Sequence, residues 1–189
     1  MTRAFCFNQG LTLLECLFVT VIVAVLSTIA FPSYKSMIAV SRISTATSEL
    51  HGALLYSRSE ALKRGGQVVI CRSSNTLSEN PSCDSGSSSG NLGWAAGWLI
   101  FHDRDKNQRF TNGDELLQAH GKLFAEPREG RISTSPNRNQ ITFNATGQTF
   151  ANYMRFVVHR PEHDTETKHD RYVCLASGGR ARVSEEACR

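Results

Sequence analysis

The chain has 189 residues, of which 40% are hydrophobic and 20% are charged, and its formal net charge is +4. These fractions are ordinary for a globular protein, and the sequence shows neither an internal repeat nor a second globular domain. The charge is only mildly basic, so it permits contact with nucleic acid but does not require it.

The first predicted element is an apolar helix behind a short polar and basic leader. Residues 11–30 are nearly all apolar or small, and Glu15 is the only charged residue among them. About 20 such residues can cross a bilayer as a helix. A carboxylate in a membrane helix costs about 2.5–3.5 kcal/mol on insertion scales, so Glu15 is expected to have a partner or a function.

Two common kinds of apolar segment fit this stretch less well. A secretory signal peptide has an apolar core of about 7–15 residues and a cleavage site between small residues. The run here is longer, and residues 28–31 offer no such site. A plain single-pass anchor would explain the hydrophobicity but not the acidic residue placed five positions after Gly10.

The combination of basic leader, Gly10, Glu15 and apolar run resembles the class III signal of type IV pilins and pseudopilins. The resemblance implies that a prepilin peptidase cuts after Gly10 and methylates the amine of Leu11, where the family usually has Phe. It also implies that Glu15 pairs with the terminal amine of a neighbouring pilin. Residues 1–10 are then the leader, and residues 11–30 span the inner membrane once before the protein enters a pilus at the cell surface.

The helix is predicted to continue beyond the apolar run as an amphipathic segment. Pro32 should bend it near residues 30–31. A stripe of apolar residues then recurs at three- and four-residue steps, at Ile43, Ala46, Leu50, Leu54 and Ala61. Gly65 and Gly66 are expected to end the helix with a left-handed cap, which gives one long helix over residues 11–66.

The remaining residues, 67–189, are predicted to form a periplasmic β-rich domain. Alternating and continuous apolar runs bounded by turn residues predict strands at 68–71, 98–101, 115–117, 131–134, 141–144, 154–159, 171–176 and 180–183. Residues 72–93 read as a loop, and residues 177–179 as a tight turn. A helix followed by strands predicts an α+β domain with a mainly antiparallel sheet packed on the helix.

Cysteine positions indicate disulfides in this domain. Cys6 lies in the leader and Cys16 in the apolar helix, which leaves four cysteines for an exported domain. Four cysteines allow three pairings. Proximity favours the pairs Cys71–Cys83 and Cys174–Cys188, each closing a loop of about a dozen residues and contributing about 3 kcal/mol.

The sequence offers little that is typical of a catalytic or metal site. Asp103, Asp105 and Asn107 begin like a calcium loop, but Gln108 stands where that loop has glycine and Asp114 replaces its bidentate Glu. We interpret the segment as a solvated hairpin turn and the six histidines as surface residues. No nucleophile elbow, phosphate loop or acid pair is evident, so we predict no enzyme activity, no metal and no cofactor.

Four motifs narrow the resemblance to one branch of the pilins. They are Val-Ile-Cys-Arg-Ser at 69–73, Gly-Trp-Leu-Ile-Phe at 97–101, Phe-Asn-x-x-Gly at 143–147 and Gly-Arg-Ala-Arg at 179–182. Together they resemble the GspH/FimT minor pilins, which implies the type IV pilin fold. FimT-like members of competent bacteria bind DNA, whereas GspH-like members sit at the tip of type II secretion pseudopili.

The basic hairpin near the C-terminus is the candidate binding site. On one strand Arg180 and Arg182 would share a face about 6.6 Å apart, which is comparable with the spacing of phosphates along a nucleic-acid strand. Gly178 and Gly179 would let a DNA backbone approach closely. Three further cations could widen the patch: Lys168, Arg171 and Arg189.

Three functions remain open at this point. With the resemblance, sequence-independent DNA binding in natural transformation is preferred. A structural minor pilin or pseudopilin would use the same arginines only to keep an exposed strand edge soluble. The third possibility is a free-standing membrane-anchored periplasmic binding domain.

Overall fold

The computed structural model describes residues 12–85, 91–150, 153–160 and 170–188, with only the backbone described at 29–33 and 35–36. The elements in chain order are helix α1 Leu13–Arg64, strand β1 Gln67–Arg72, a short 3₁₀ turn Trp94–Ala96, and strands β2 Trp98–Asp103, β3 Glu115–His120, β4 Arg131–Ser135, β5 Gln140–Phe143, β6 Tyr153–His159, β7 Arg171–Ala176 and β8 Ala181–Ser184. The chain divides into two compact units, one ending at Ile38 and one beginning at Ala39.

The first unit contains the start of α1. Thr12 caps the helix, since its Oγ1 accepts a hydrogen bond of 3.2 Å from the backbone N–H of Glu15. Large apolar side chains from Leu13 to Leu26 are exposed on all sides of this segment. Among the described residues, no helix meets the length and hydropathy required to cross a membrane, and the predicted inner-membrane span at 11–30 is not confirmed. Gly10 and Leu11, and the leader itself, lie outside the described residues.

The amphipathic half of α1 belongs to the second unit and is confirmed. All five residues of the predicted stripe are buried, with Leu50, Leu54 and Ala61 completely inaccessible to solvent. The helix ends at Arg64, and Gly65 follows with φ +62°, the left-handed conformation expected of a glycine cap. The stripe packs into the main core with apolar side chains of both sheets.

The β-rich part contains two four-stranded antiparallel sheets rather than the single sheet that the sequence predicted. The first has the order β3-β2-β1-β5 and the second the order β4-β6-β7-β8. In the first sheet β1 and β2 are buried on both faces, because Val69, Leu99 and Phe101 form a second small core on the side opposite the main one. Helix α1 packs against residues of both sheets, so the predicted α+β class is confirmed.

Two disulfides close loops at either end of the domain. Cys71 pairs with Cys83, with 5.6 Å between their Cα atoms, and Cys174 pairs with Cys188, with 5.8 Å between theirs. These are the pairs that proximity favoured. The second bridge joins the C-terminal tail to β7, and therefore holds the segment after β8 against the hairpin.

Candidate nucleic-acid interface

The hairpin of β7 and β8 is built on a three-residue loop, Ser177–Gly179. The N–H of Gly179 donates to the carbonyl of Ala176 at 2.8 Å, and the N–H of Ala176 donates to the carbonyl of Arg180 at 3.0 Å. Gly179 has φ +75°, the left-handed conformation that follows a type I turn in such hairpins. The predicted tight turn is therefore present.

Gly179 is also the point where two of the sequence motifs meet. A Cβ at this position would overlap the backbone carbonyl oxygen of Gly147, the glycine of the Phe-Asn-x-x-Gly motif. Beside this contact, the N–H of Thr149 donates to the carbonyl of Ser177 at 3.0 Å. The two turns thus support each other; close backbone approach requires a glycine at 179, and Gly147 has a positive φ of +72°. Gly178 differs, because a Cβ there would meet no atom within 4 Å.

Arg180 and Arg182 are both exposed at this hairpin. Within the described part of the chain, no hydrogen bond or ion pair involves either guanidinium group, so both are available to an external anion. The sequence placed both residues on one strand, but β8 begins at Ala181 because the Arg180 carbonyl closes the turn. Arg180 therefore lies immediately before β8, and Arg182 lies within it.

Three other cations were predicted to widen the basic patch. Nη1 of Arg171 forms an ion pair of 2.5 Å with Glu185, a residue of the tail that follows β8. Arg171 therefore already has an acidic partner in the tail, and its contact with DNA stays a prediction. Lys168 and Arg189 lie outside the described residues.

A second polar network, which the sequence analysis missed, lies at the far edge of the same sheet. Nε2 of His159 is 2.7 Å from Oγ of Ser133, and its Nδ1 is 3.1 Å from a carboxylate oxygen of Asp170. Burial lowers the pKa of His159, and the charge of Arg131 acts in the same direction, whereas Asp170 opposes the shift. A neutral ring then donates from Nδ1 to Asp170 and accepts at Nε2 from Ser133. Only the pairing of β4 with β6 reveals this proximity.

This histidine predicts a pH dependence of stability. The folded state holds His159 neutral below its ordinary pKa of 6.5, while the unfolded chain takes up a proton there. Its contribution is complete above pH 6.5 and is lost as the pH falls through the lowered folded-state pKa. Urea unfolding of His159→Gln should therefore show a smaller loss of stability between about pH 7.5 and 5.5 than the parent does. Equal losses would contradict the assignment.

Three carboxylates meet in the β2–β3 turn. Ligand oxygens of Asp103, Asp105 and Asp114 lie within 4.8 Å of one another. Asp103 is buried, which raises its pKa, and it accepts hydrogen bonds from the backbone N–H groups of Asn107 and Gln108. The segment is a hairpin turn as predicted, but Asp103 is not solvated as the sequence analysis assumed. Carboxylates of this kind could hold a hard cation, although Gln108, with φ +60°, occupies the glycine position of a calcium loop.

Comparison with known proteins identifies the family. The family model described as "Type II transport protein GspH" matches residues 46–179. The type IV minor pilin FimU of Pseudomonas aeruginosa is 19% identical over 75% of this chain and 87% of its own, with a TM-score of 0.51, which shows a shared fold. The minor pseudopilin EpsH from the type 2 secretion system of Vibrio cholerae is 11% identical over 76% and 97%, with a TM-score of 0.48.

A comparison with curated protein sequences found no match. The family match covers more than half of the chain and contains three of the four motifs, together with the first residue, Gly179, of the fourth. The chain therefore belongs to the GspH family of type II transport proteins.

Proposed function

We propose that the chain is a minor type IV pilin that binds DNA through the β7–β8 hairpin and assists DNA uptake in natural transformation. The observation that carries this function is the pair of exposed guanidinium groups, Arg180 and Arg182, which have no partner among the described residues. A guanidinium group binds phosphate oxygens in a fork, and Gly178 leaves open space beside the pair. Neither an enzymatic reaction nor a cofactor is part of this function.

Binding of this kind depends on phosphate rather than on sequence. Two to four phosphate contacts correspond to dissociation constants of about 10⁻⁴–10⁻⁶ M at physiological salt. No recognition helix accompanies the hairpin in the described residues, and the proposed contacts are those of Arg180 and Arg182 with phosphate. A mobility-shift assay with the full chain in mild detergent tests the proposal. Oligonucleotides of unrelated sequence should be shifted alike at low salt, and the shift should disappear as salt is raised.

Assembly into a filament is the second part of the proposal. The partners are other pilins, the prepilin peptidase and, before assembly, the inner membrane. The exposed apolar side chains of the first unit are a surface that lipid or neighbouring pilin helices would cover. Glu15, within the first turn of α1, would meet the terminal amine of a neighbouring subunit.

Processing of the N-terminus gives a direct test of the pilin assignment. The intact mass of the membrane-extracted protein should correspond to a chain that begins at Leu11 and carries one added methyl group. The Glu15→Ala variant should be cut equally well but assemble poorly, because the buried amine would lose its counter-charge. An uncut chain, or a mature terminus at another residue, would contradict this assignment.

One observation favours a second candidate function. The family description refers to type II transport, which is the context of a secretion pseudopilus rather than of DNA uptake. In that role the protein would be a structural subunit of the filament tip, and the two arginines would serve only solubility. Absence of DNA binding at low salt, with correct processing, would favour this role.

A further inference from the structure

Arg58 of helix α1 lies beside the two turns that carry the proposed DNA site. Its Nε is 3.1 Å from the point where a Cβ on Gly147 would stand, and 3.4 Å from the corresponding point on Gly179. The guanidinium group is therefore packed against the base of the β7–β8 hairpin. Neither the sequence motifs nor helical periodicity singled out this residue.

Arg58 also differs in its electrostatic surroundings from the other cations of this helix whose side chains the structure describes. Arg42 pairs with Glu129, and Lys63 and Arg64 both pair with Glu60. Arg58 forms no ion pair with any residue that the structure describes, and its Nε is buried without a hydrogen-bond acceptor. An unsatisfied buried donor is unfavourable, and a phosphate oxygen that bound at this guanidinium group would satisfy it.

An exposed aromatic side chain follows directly after the same junction. Thr149 binds the hairpin through its N–H, and the next residue, Phe150, is 63% exposed. An exposed phenyl ring is unfavourable in water, and it offers a face on which an unpaired base can stack. In duplex DNA the bases are stacked on one another, so this face is of use only to a single strand.

We propose that Arg58 is a third phosphate ligand of the hairpin site and that Phe150 stacks a base, so that the site takes single-stranded nucleic acid in preference to duplex. This inference rests on the proposed DNA binding. Arg180, Arg182 and Arg58 would hold the sugar–phosphate backbone around the open space at Gly178, and Phe150 would hold a base beside it. The sequence predicted binding at the basic hairpin alone, and Phe150 lies outside that hairpin.

Fluorescence anisotropy with the full chain in detergent tests both residues, using one 12-nucleotide strand and its matched duplex at fixed low salt. Phe150→Leu keeps an apolar side chain but removes the ring, and should weaken single-strand binding about tenfold while leaving duplex binding unchanged. Phe150→Tyr should restore binding. Arg58→Gln should weaken the binding of both the single strand and the duplex. It should also make the slope of log K against log salt shallower by about 0.7 for the strand and 0.9 for the duplex.

The matched control is Arg42→Gln, which removes the same charge from the same helix at a residue paired with Glu129. Arg58→Lys keeps the charge without the planar fork, so its affinity for DNA should lie between those of the parent and Arg58→Gln. The inference is overturned if Phe150→Leu binds the single strand as the parent does, or if Arg58→Gln behaves as Arg42→Gln does. If these variants are unchanged while Arg180→Gln with Arg182→Gln loses binding, the proposed function stands without this extension. If no variant changes binding, both fail.

Discussion

Replacing Arg180 and Arg182 together by glutamine is expected to remove most of the DNA binding without unfolding the domain. Both side chains are exposed and form no hydrogen bond or ion pair with described residues, so the effect on stability should stay within about 0.5 kcal/mol. Glutamine keeps a polar side chain of similar length but lacks the charge that binds phosphate. At low salt the double variant should show almost no mobility shift.

The salt dependence separates loss of specific contacts from a general loss of charge. Each phosphate contact contributes about 0.9 to the slope of log K against log salt for duplex DNA. The slope measured for the double variant should therefore be shallower than that of the parent by about two. A matched control is Arg104→Gln with Arg128→Gln, which removes two exposed charges that pair with Glu115 and Glu126 elsewhere on the domain. This control should retain nearly all of the parent slope.

The same double variant tests the biological role. Transformation frequency should fall in cells that carry it, while filaments continue to form, because neither arginine lies in the helix that is proposed to assemble. Unchanged DNA binding by the double variant would place the contact elsewhere on the chain. Absence of binding by the parent itself at low salt would leave the structural pilin as the better description.

Sequence reasoning succeeded where a feature depends on neighbours in the chain. The buried stripe of α1 follows from helical periodicity, and the left-handed cap at Gly65 follows from the freedom of glycine at positive φ. The hairpin turn at 177–179 is equally local, because its two hydrogen bonds join residues three and four apart. The two disulfides were predicted correctly because their cysteines are only 12 and 14 residues apart in the chain.

Features that depend on strand register could not be read in the same way. The division into two sheets arises because β4 pairs with β6 instead of extending the first sheet, and no local pattern encodes that choice. The contact of Ser133 with His159 follows from this pairing. Arg58 was missed because its significance lies in two glycines about 90 and 120 residues further along the chain.

The last prediction concerns the glycine that joins the two motifs. Gly179→Ala is expected to destabilise the domain by about 2–4 kcal/mol, since alanine is strained at φ +75° and its Cβ would overlap the carbonyl oxygen of Gly147. The atom it meets is backbone, so relief requires the two turns to separate. Separation would also break the hydrogen bond from Thr149 to Ser177 and displace the neighbouring Arg180.

Gly178→Ala provides the matched control, because it makes the same chemical change one residue earlier in the same loop. A Cβ at that position meets nothing within 4 Å, so stability should change by less than about 0.5 kcal/mol. Urea unfolding measures the stability of both variants. At a temperature where Gly179→Ala is still folded, that variant should also bind DNA more weakly than Gly178→Ala. Equal stability of the two variants would show that the motifs do not support each other through Gly179. A stable Gly179→Ala that nevertheless loses DNA binding would instead show that the glycine contacts the ligand directly.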